Sequence, residues 1–94
     1  MAIYLVELSK QAEKDLRKVP AHILDKFDFW VRLVESHGLQ EVMKIKGFHD
    51  EPLRGQRKGQ RSIRLSRAYR AIYRVLSADL VEFVRVEEVH KHEY

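Results

Sequence analysis

The chain opens on a short apolar run, Ile3-Tyr4-Leu5-Val6, built from residues that favour strands. Ser9, a favourable N-cap, ends it and starts a helix. Residues 10–18 are strong helix formers, and Val19-Pro20 closes them. Pro20 suits the first turn of a second helix. There Ile23, Phe27, Trp30, Val31 and Val34 recur at i, i+4, i+7, i+8 and i+11, a stripe one helix face wide. Gly38 fits the position just past the end of that helix. The spacing predicts a helical hairpin that lays this stripe on a sheet.

Beyond Gly38 the period changes. Residues 39–45 suit one more helical turn, and residues 49–60, with Pro52, Gly55 and Gly59, read as a loop displaying Arg54, Arg57 and Lys58. Residues 61–65 alternate as a strand, and residues 66–68 make a tight turn. Residues 69–76 alternate again, with Tyr69, Ala71, Tyr73 and Val75 on one face and Arg70, Ile72, Arg74 and Leu76 on the other. A turn at 77–79 leads to a third strand over 80–89. The pattern predicts one α+β domain over residues 1–94: an N-terminal strand, a two-helix hairpin and a three-stranded antiparallel meander.

Length narrows what such a domain can do. A chain of 94 residues buries only about 60–65% of its unfolded surface, so a functional site is expected as an open groove. With no cysteine, disulfides, thiolate catalysis and cysteine-ligated metals are excluded. No apolar run approaches a membrane span, and the N-terminus lacks the charged start and long apolar core of a signal peptide. A soluble, cytoplasmic protein with no membrane partner is expected.

Charge changes the picture more. Residues 52–78 carry 8 basic side chains and no acidic one, in a chain whose net charge is only +4. Surfaces ordinarily interleave both signs, so a one-sign block points to a polyanionic partner. Seven of the 8 are arginine, whose planar fork suits phosphate and stacks on bases.

The tail adds groups for proton transfer. On an extended strand Glu88, His90, His92 and Tyr94 share one face: a carboxylate, two imidazoles and a phenol. Beside an arginine-rich strand these are the requirements of RNA cleavage without metal. A base takes the 2′-hydroxyl proton, an acid protonates the departing 5′-oxygen, and cations hold the charge that grows on phosphorus. DNA lacks that nucleophile. His90 and His92 also suit a metal ion, but His22, His37 and His49 are scattered and a protein zinc site needs three or four ligands, so neither a metal nor a cofactor is expected. Phosphate-binding, dinucleotide and serine-nucleophile motifs are absent.

Four segments together resemble a known family: Asp50-Glu51-Pro52-Leu53-Arg54-Gly55, Arg61-Ser62-Ile63-Arg64-Leu65, Tyr69-Arg70-Ala71-Ile72-Tyr73-Arg74-Val75, and residues 86–94. Their order is similar to that of the RelE/HigB superfamily of toxins from bacterial toxin–antitoxin pairs. Over residues 3–46 the likeness rests on element order alone. The resemblance implies a RelE-like fold, cleavage of mRNA, commonly in the ribosomal A site, and a cognate antitoxin that blocks it.

It also implies roles for single residues. The loop lysine of HigB-like members falls at Arg54, which keeps the charge. The arginine that stabilises the scissile phosphate in YoeB-like members falls at Arg70. The acidic residue and histidine ending the last HigB strand fall at Glu88 and His90, with Val89 in place of the intervening tyrosine. A terminal His-Tyr pair is similar to His92 and Tyr94, although Glu93 intervenes here. The catalytic set expected is therefore Arg70 as phosphate clamp, His92 ahead of His90 as acid, Glu88 or a histidine as base, with Arg54 and Tyr94 alongside. Arg57, Lys58, Arg61 and Arg64 are expected to hold mRNA or ribosomal RNA backbone. Two alternatives differ in class: a gyrase-poisoning toxin of the ParE type, which shares the fold without cutting RNA, and a catalytically inert module that binds RNA or an antitoxin.

Overall fold

The computed structural model describes residues 3–78 and 80–91 of the chain. Strand β1 (Ile3–Leu8) leads into α1 (Lys10–Leu16), whose first turn is capped by Ser9: its hydroxyl oxygen accepts the Ala12 N–H at 3.0 Å. The same hydroxyl donates to the Glu87 carbonyl at 2.5 Å, so this cap also ties the helix to the far end of the chain. Helix α2 (Ala21–His37) buries Ile23, Phe27, Trp30 and Val34 as the spacing required, while Val31 sits half-buried at the edge of the stripe. Gly38 (φ 88°) then reverses the chain into the short helix α3 (Leu39–Met43). A side chain there meets the Tyr4 ring, since a Cβ would stand 2.9 Å from it.

The sheet corrects the expected meander. Strands β3 (Arg61–Arg64), β4 (Tyr69–Ala78) and β5 (Val81–Lys91) do pair antiparallel in succession. They belong, however, to a mixed sheet of five strands in the order β1-β5-β4-β3-β2, where β2 is the short segment Glu51–Pro52. Strand β1 lies parallel beside β5, from Ile3 opposite Val81 to Leu8 opposite Val86. On the other edge the supposed loop contributes a two-residue strand β2 (Glu51–Pro52), antiparallel to β3. A residue without N–H is admissible there because an edge strand has one side unpaired. The turn expected at 77–79 starts later, since Ser77 and Ala78 still pair with Glu82 and Val81; Asp79 lies outside the described residues.

The helices cover one face only. Trp30, Phe27 and Ile23 pack on Ile63, Ala71, Tyr73, Val84, Val86 and Val89 to form the core. Tyr73 is fully buried, with its ring 5.4 Å from that of Trp30. The opposite face of the sheet stays open and carries the charged residues.

One irregularity decides what that open face contains. Pairing between β4 and β5 slips between Ile72 and Tyr73, which face Glu88 and Val86, so Glu87 is an extra residue in β5. Before this bulge Val84 and Val86 point into the core. Strict alternation would then send Glu88 and His90 inward too. The extra residue resets the phase: Val89 goes in, and Glu88 and His90 come out beside Ile72 and Arg70. Glu87 itself also reaches the open side, where its carboxylate oxygens lie 2.7 Å from Arg74 Nε and 3.9 Å from Arg85 Nε.

Candidate active site

Antiparallel pairing puts Cα partners on the same face of the sheet. Arg64 faces Arg70 across β3 and β4, and Arg70 faces His90 across β4 and β5. Three basic side chains thus form one row across three strands. The neighbouring row runs Glu51, Ser62, Ile72, Glu88 across four. Apart from Arg64, these side chains line an open groove of about 460 Å³, floored by Ser62 and Ile72. Leu53 and Arg57, from the segment after β2, close one side.

The cations and carboxylates of this groove hold one another. Glu88 accepts from Arg57 Nη2 at 2.9 Å and lies 3.5 Å from His90 Nε2. Glu51 lies 3.7 Å from Arg70 Nη1 and 3.5 Å from His49 Nε2. The result is two Arg–Glu–His sets, Arg57–Glu88–His90 and Arg70–Glu51–His49. Arg70 is the most enclosed of the cations, its side chain 17% exposed against 44% for Arg57. The Ser62 hydroxyl in the floor has no hydrogen-bond partner among the described residues.

Beneath the groove a buried polar cluster fixes its wall. The Asp50 side chain, 1% exposed, receives Arg61 Nε at 2.6 Å and the Tyr73 hydroxyl. His49 in the left-handed conformation (φ 46°) turns the chain into this anchor. Asp50 is buried immediately before β2, and its neighbour Glu51 lines the groove. Burial raises the Tyr73 phenol far above its ordinary range, and Asp50 adds to this by hydrogen bond and charge, so it remains a donor. For Arg61, burial alone acts downward, but the hydrogen bond and charge of Asp50 outweigh it and the net direction is up.

A proton held more tightly by the folded state stabilises fully below the unfolded pKa and is lost above it. Stability is therefore expected to fall from about pH 10 upward as Tyr73 is called on to ionise. Tyr73→Phe should flatten that alkaline decline in thermal melts taken from pH 8 to 11. A wild-type curve no steeper than that of the variant counts against this reading.

Of the residues singled out from sequence, Arg70, His90, Glu88 and Arg57 converge in the groove. Arg64 stands one strand away from Arg70, without an ionic partner among the described residues. Arg54 and Lys58 are exposed at the two ends of a 3-10 turn and do not line the groove. Arg61 is committed to Asp50. His92 and Tyr94 lie outside the described residues. Glu51, Asp50 and Ser62 were not among the site residues expected from sequence. Glu51 lies in the Asp50–Gly55 motif, and only its pairing with Ser62 in the sheet brings its carboxylate to the groove. Among the described residues no group of three or more His, Cys, Asp or Glu side chains is placed to hold a metal ion.

A family model described as "ParE toxin of type II toxin-antitoxin system, parDE" matches residues 6–90. The chain belongs to this toxin family. Solved structures agree with it in fold. The toxin is similar to YafQ from E. coli strain BL21(DE3) (20% identity, TM-score 0.73), over 93% of this chain and 91% of that one. It is similar to the YoeB/ParE toxin from Agrobacterium tumefaciens (18%, 0.73), over 95% and 99%. A third match is the toxin–antitoxin complex RelBE2 from Mycobacterium tuberculosis (25%, 0.64), over 97% and 100%. No curated protein sequence matches. No helix of the described residues is long and apolar enough to cross a membrane.

Proposed function

We propose that this toxin is a metal-independent endoribonuclease that cuts mRNA on the ribosome and is held in check by a cognate antitoxin. The observation that carries the reading is the register of β4 and β5, which puts Arg70 and His90 side by side on the open face. Arg70 grips the nonbridging oxygens of the scissile phosphate and holds the charge that develops as the phosphorane forms. Glu51 takes the 2′-hydroxyl proton. It suits this better than Glu88, because it is 48% exposed and only 3.7 Å from Arg70. Glu88 is engaged by Arg57 and His90 and serves to orient the imidazole. The 2′-oxygen attacks phosphorus and the bond to the 5′-oxygen breaks. Protonated His90 donates its proton to that oxygen. The products are a 2′,3′-cyclic phosphate and a 5′-hydroxyl, and solvent restores both side chains.

Arg64 fits a supporting role on the RNA backbone. Arg64→Ala should lower the slope of log affinity against log salt by about 0.7, the value for one lost contact to single-stranded RNA. Stability should hold or rise slightly, because like charges directly opposed across two strands repel. Salt-dependent fluorescence anisotropy on a short RNA, with a thermal melt of the same protein, reads both. An unchanged slope removes Arg64 from the RNA path.

The family model favours a second reading, a contact poison of gyrase. Inducing the toxin in cells and mapping transcript 5′ ends separates them. New ends inside translated codons support cleavage. Growth arrest with no new ends and with broken DNA supports the gyrase reading.

A further inference from the structure

One hydroxyl in the groove floor is unused. Ser62 is 2% exposed, and its Oγ has no hydrogen-bond partner among the described residues. A buried hydroxyl left unpaired costs stability, so such a group calls for an explanation. Its neighbours narrow the choice. Ile72, beside it in β4, has no polar side-chain atom, and Arg64 and Arg70 in the next row can only donate. The acceptor directly across the strands is Glu51 in β2. Side chains paired in this way stand about 4.5–5.5 Å apart at Cβ, which lets a hydroxyl reach a carboxylate. That carboxylate is loosely held. It lies 3.5 Å from His49 Nε2 and 3.7 Å from Arg70 Nη1, and its side chain is 48% exposed. Both distances exceed the roughly 2.7–3.2 Å of a good hydrogen bond.

We infer that Ser62 is a positioning residue for Glu51: its hydroxyl donates to the carboxylate and holds it where it takes the 2′-hydroxyl proton. The inference rests on the cleavage reading above, in which the scissile phosphate binds Arg70. Phosphate and carboxylate are both anions, so a phosphate on Arg70 repels Glu51 from the same guanidinium. Ser62 is the donor waiting directly across the strand. A carboxylate has about four lone-pair sites, so a bond to Ser62 leaves room for the 2′-hydroxyl to give up its proton. Each group that moves a proton then has a neighbour in the same row to orient it. Glu88 serves His90, and Ser62 serves Glu51.

Ser62→Ala should slow single-turnover cleavage of ribosome-bound mRNA by about 10- to 100-fold, the loss expected for one hydrogen bond to a charged group. Its melting midpoint should hold or rise, because the variant removes an unpaired buried hydroxyl; a merely structural serine gives the opposite sign. Affinity for RNA that lacks the 2′-hydroxyl at the cut should match wild type, since Ser62 does not touch the substrate. Ser62→Ala added to Glu51→Gln should bring almost no further loss of rate, because residues that act through one proton transfer are not additive. Four results overturn the assignment while Glu51 keeps its role: cleavage by Ser62→Ala at the wild-type rate, a midpoint lowered along with the rate, weaker RNA binding, or a full further loss in the double variant. Glu51→Gln that cleaves as fast as wild type contradicts the choice of base in the cleavage reading, and this inference with it.

Discussion

Arg70→Ala should slow single-turnover cleavage of ribosome-bound mRNA by about 10²–10³, the usual loss when a preorganised donor to a developing oxyanion is removed. The protein should fold as before. Among the described residues Arg70 is paired only with Glu51, at 3.7 Å and with that carboxylate half exposed, and pairs of this kind contribute little to stability. Its removal also relieves repulsion with Arg64 opposite. Arg70→Lys should recover part of the rate, because it keeps the charge but loses the planar fork that meets two phosphate oxygens at once. Cleavage by Arg70→Ala at the wild-type rate, in a protein with unchanged melting behaviour, excludes Arg70 as the clamp.

The largest effect on folding is expected at Trp30. It is fully buried, 6.0 Å from the Phe27 ring and 5.4 Å from the Tyr73 ring. Trp30→Ala leaves a large cavity at the centre of the layer between α2 and the sheet, which costs about 3–5 kcal/mol. Small domains have about 5–15 kcal/mol of stability altogether. The melting midpoint should drop by roughly 15–30 °C for a chain of this size. The damage also reaches the groove: Tyr73 leans on Trp30 and holds Asp50, and Asp50 directs Glu51. Trp30→Phe should lose much less of both stability and activity, which differential scanning calorimetry and the cleavage assay can read on the same samples. A Trp30→Ala protein that melts within a few degrees of wild type contradicts this account of the core.

How far the fold was legible depends on how local each cause is. The stripe from Ile23 to Val34 and the alternation through Arg70 and Tyr73 arise from neighbours in sequence, and both read correctly. The parallel pairing of β1 with β5 joins residues nearly eighty positions apart, and nothing in Ile3-Tyr4-Leu5-Val6 says which strand it meets. Strand β2 was hidden because Pro52 argues for a loop everywhere except at an edge.

The groove was legible in part. The arginine block and the Glu88/His90 spacing marked the chemistry, but which face of the sheet they reached depended on the extra residue Glu87. A bulge leaves no clear trace in periodicity when the residues around it are Val-Glu-Glu-Val. Arg61 shows the converse limit. It belongs to the basic block by composition, yet a buried carboxylate eleven positions earlier claims it. The separation of Arg74 and Arg85 from the groove has a similar cause, since Glu87 and Glu7 occupy them.

The convergence of Arg70 and His90 on one phosphate can be tested with RNA that carries sulfur in place of the bridging 5′-oxygen. A thiolate departs without needing a proton, so the donor becomes dispensable while the clamp does not. On this substrate His90→Ala should cleave close to the wild-type rate, whereas Arg70→Ala should remain slow. If His90→Ala is as impaired on the sulfur-containing RNA as on ordinary RNA, His90 does not protonate the leaving oxygen and the proposed site is wrong.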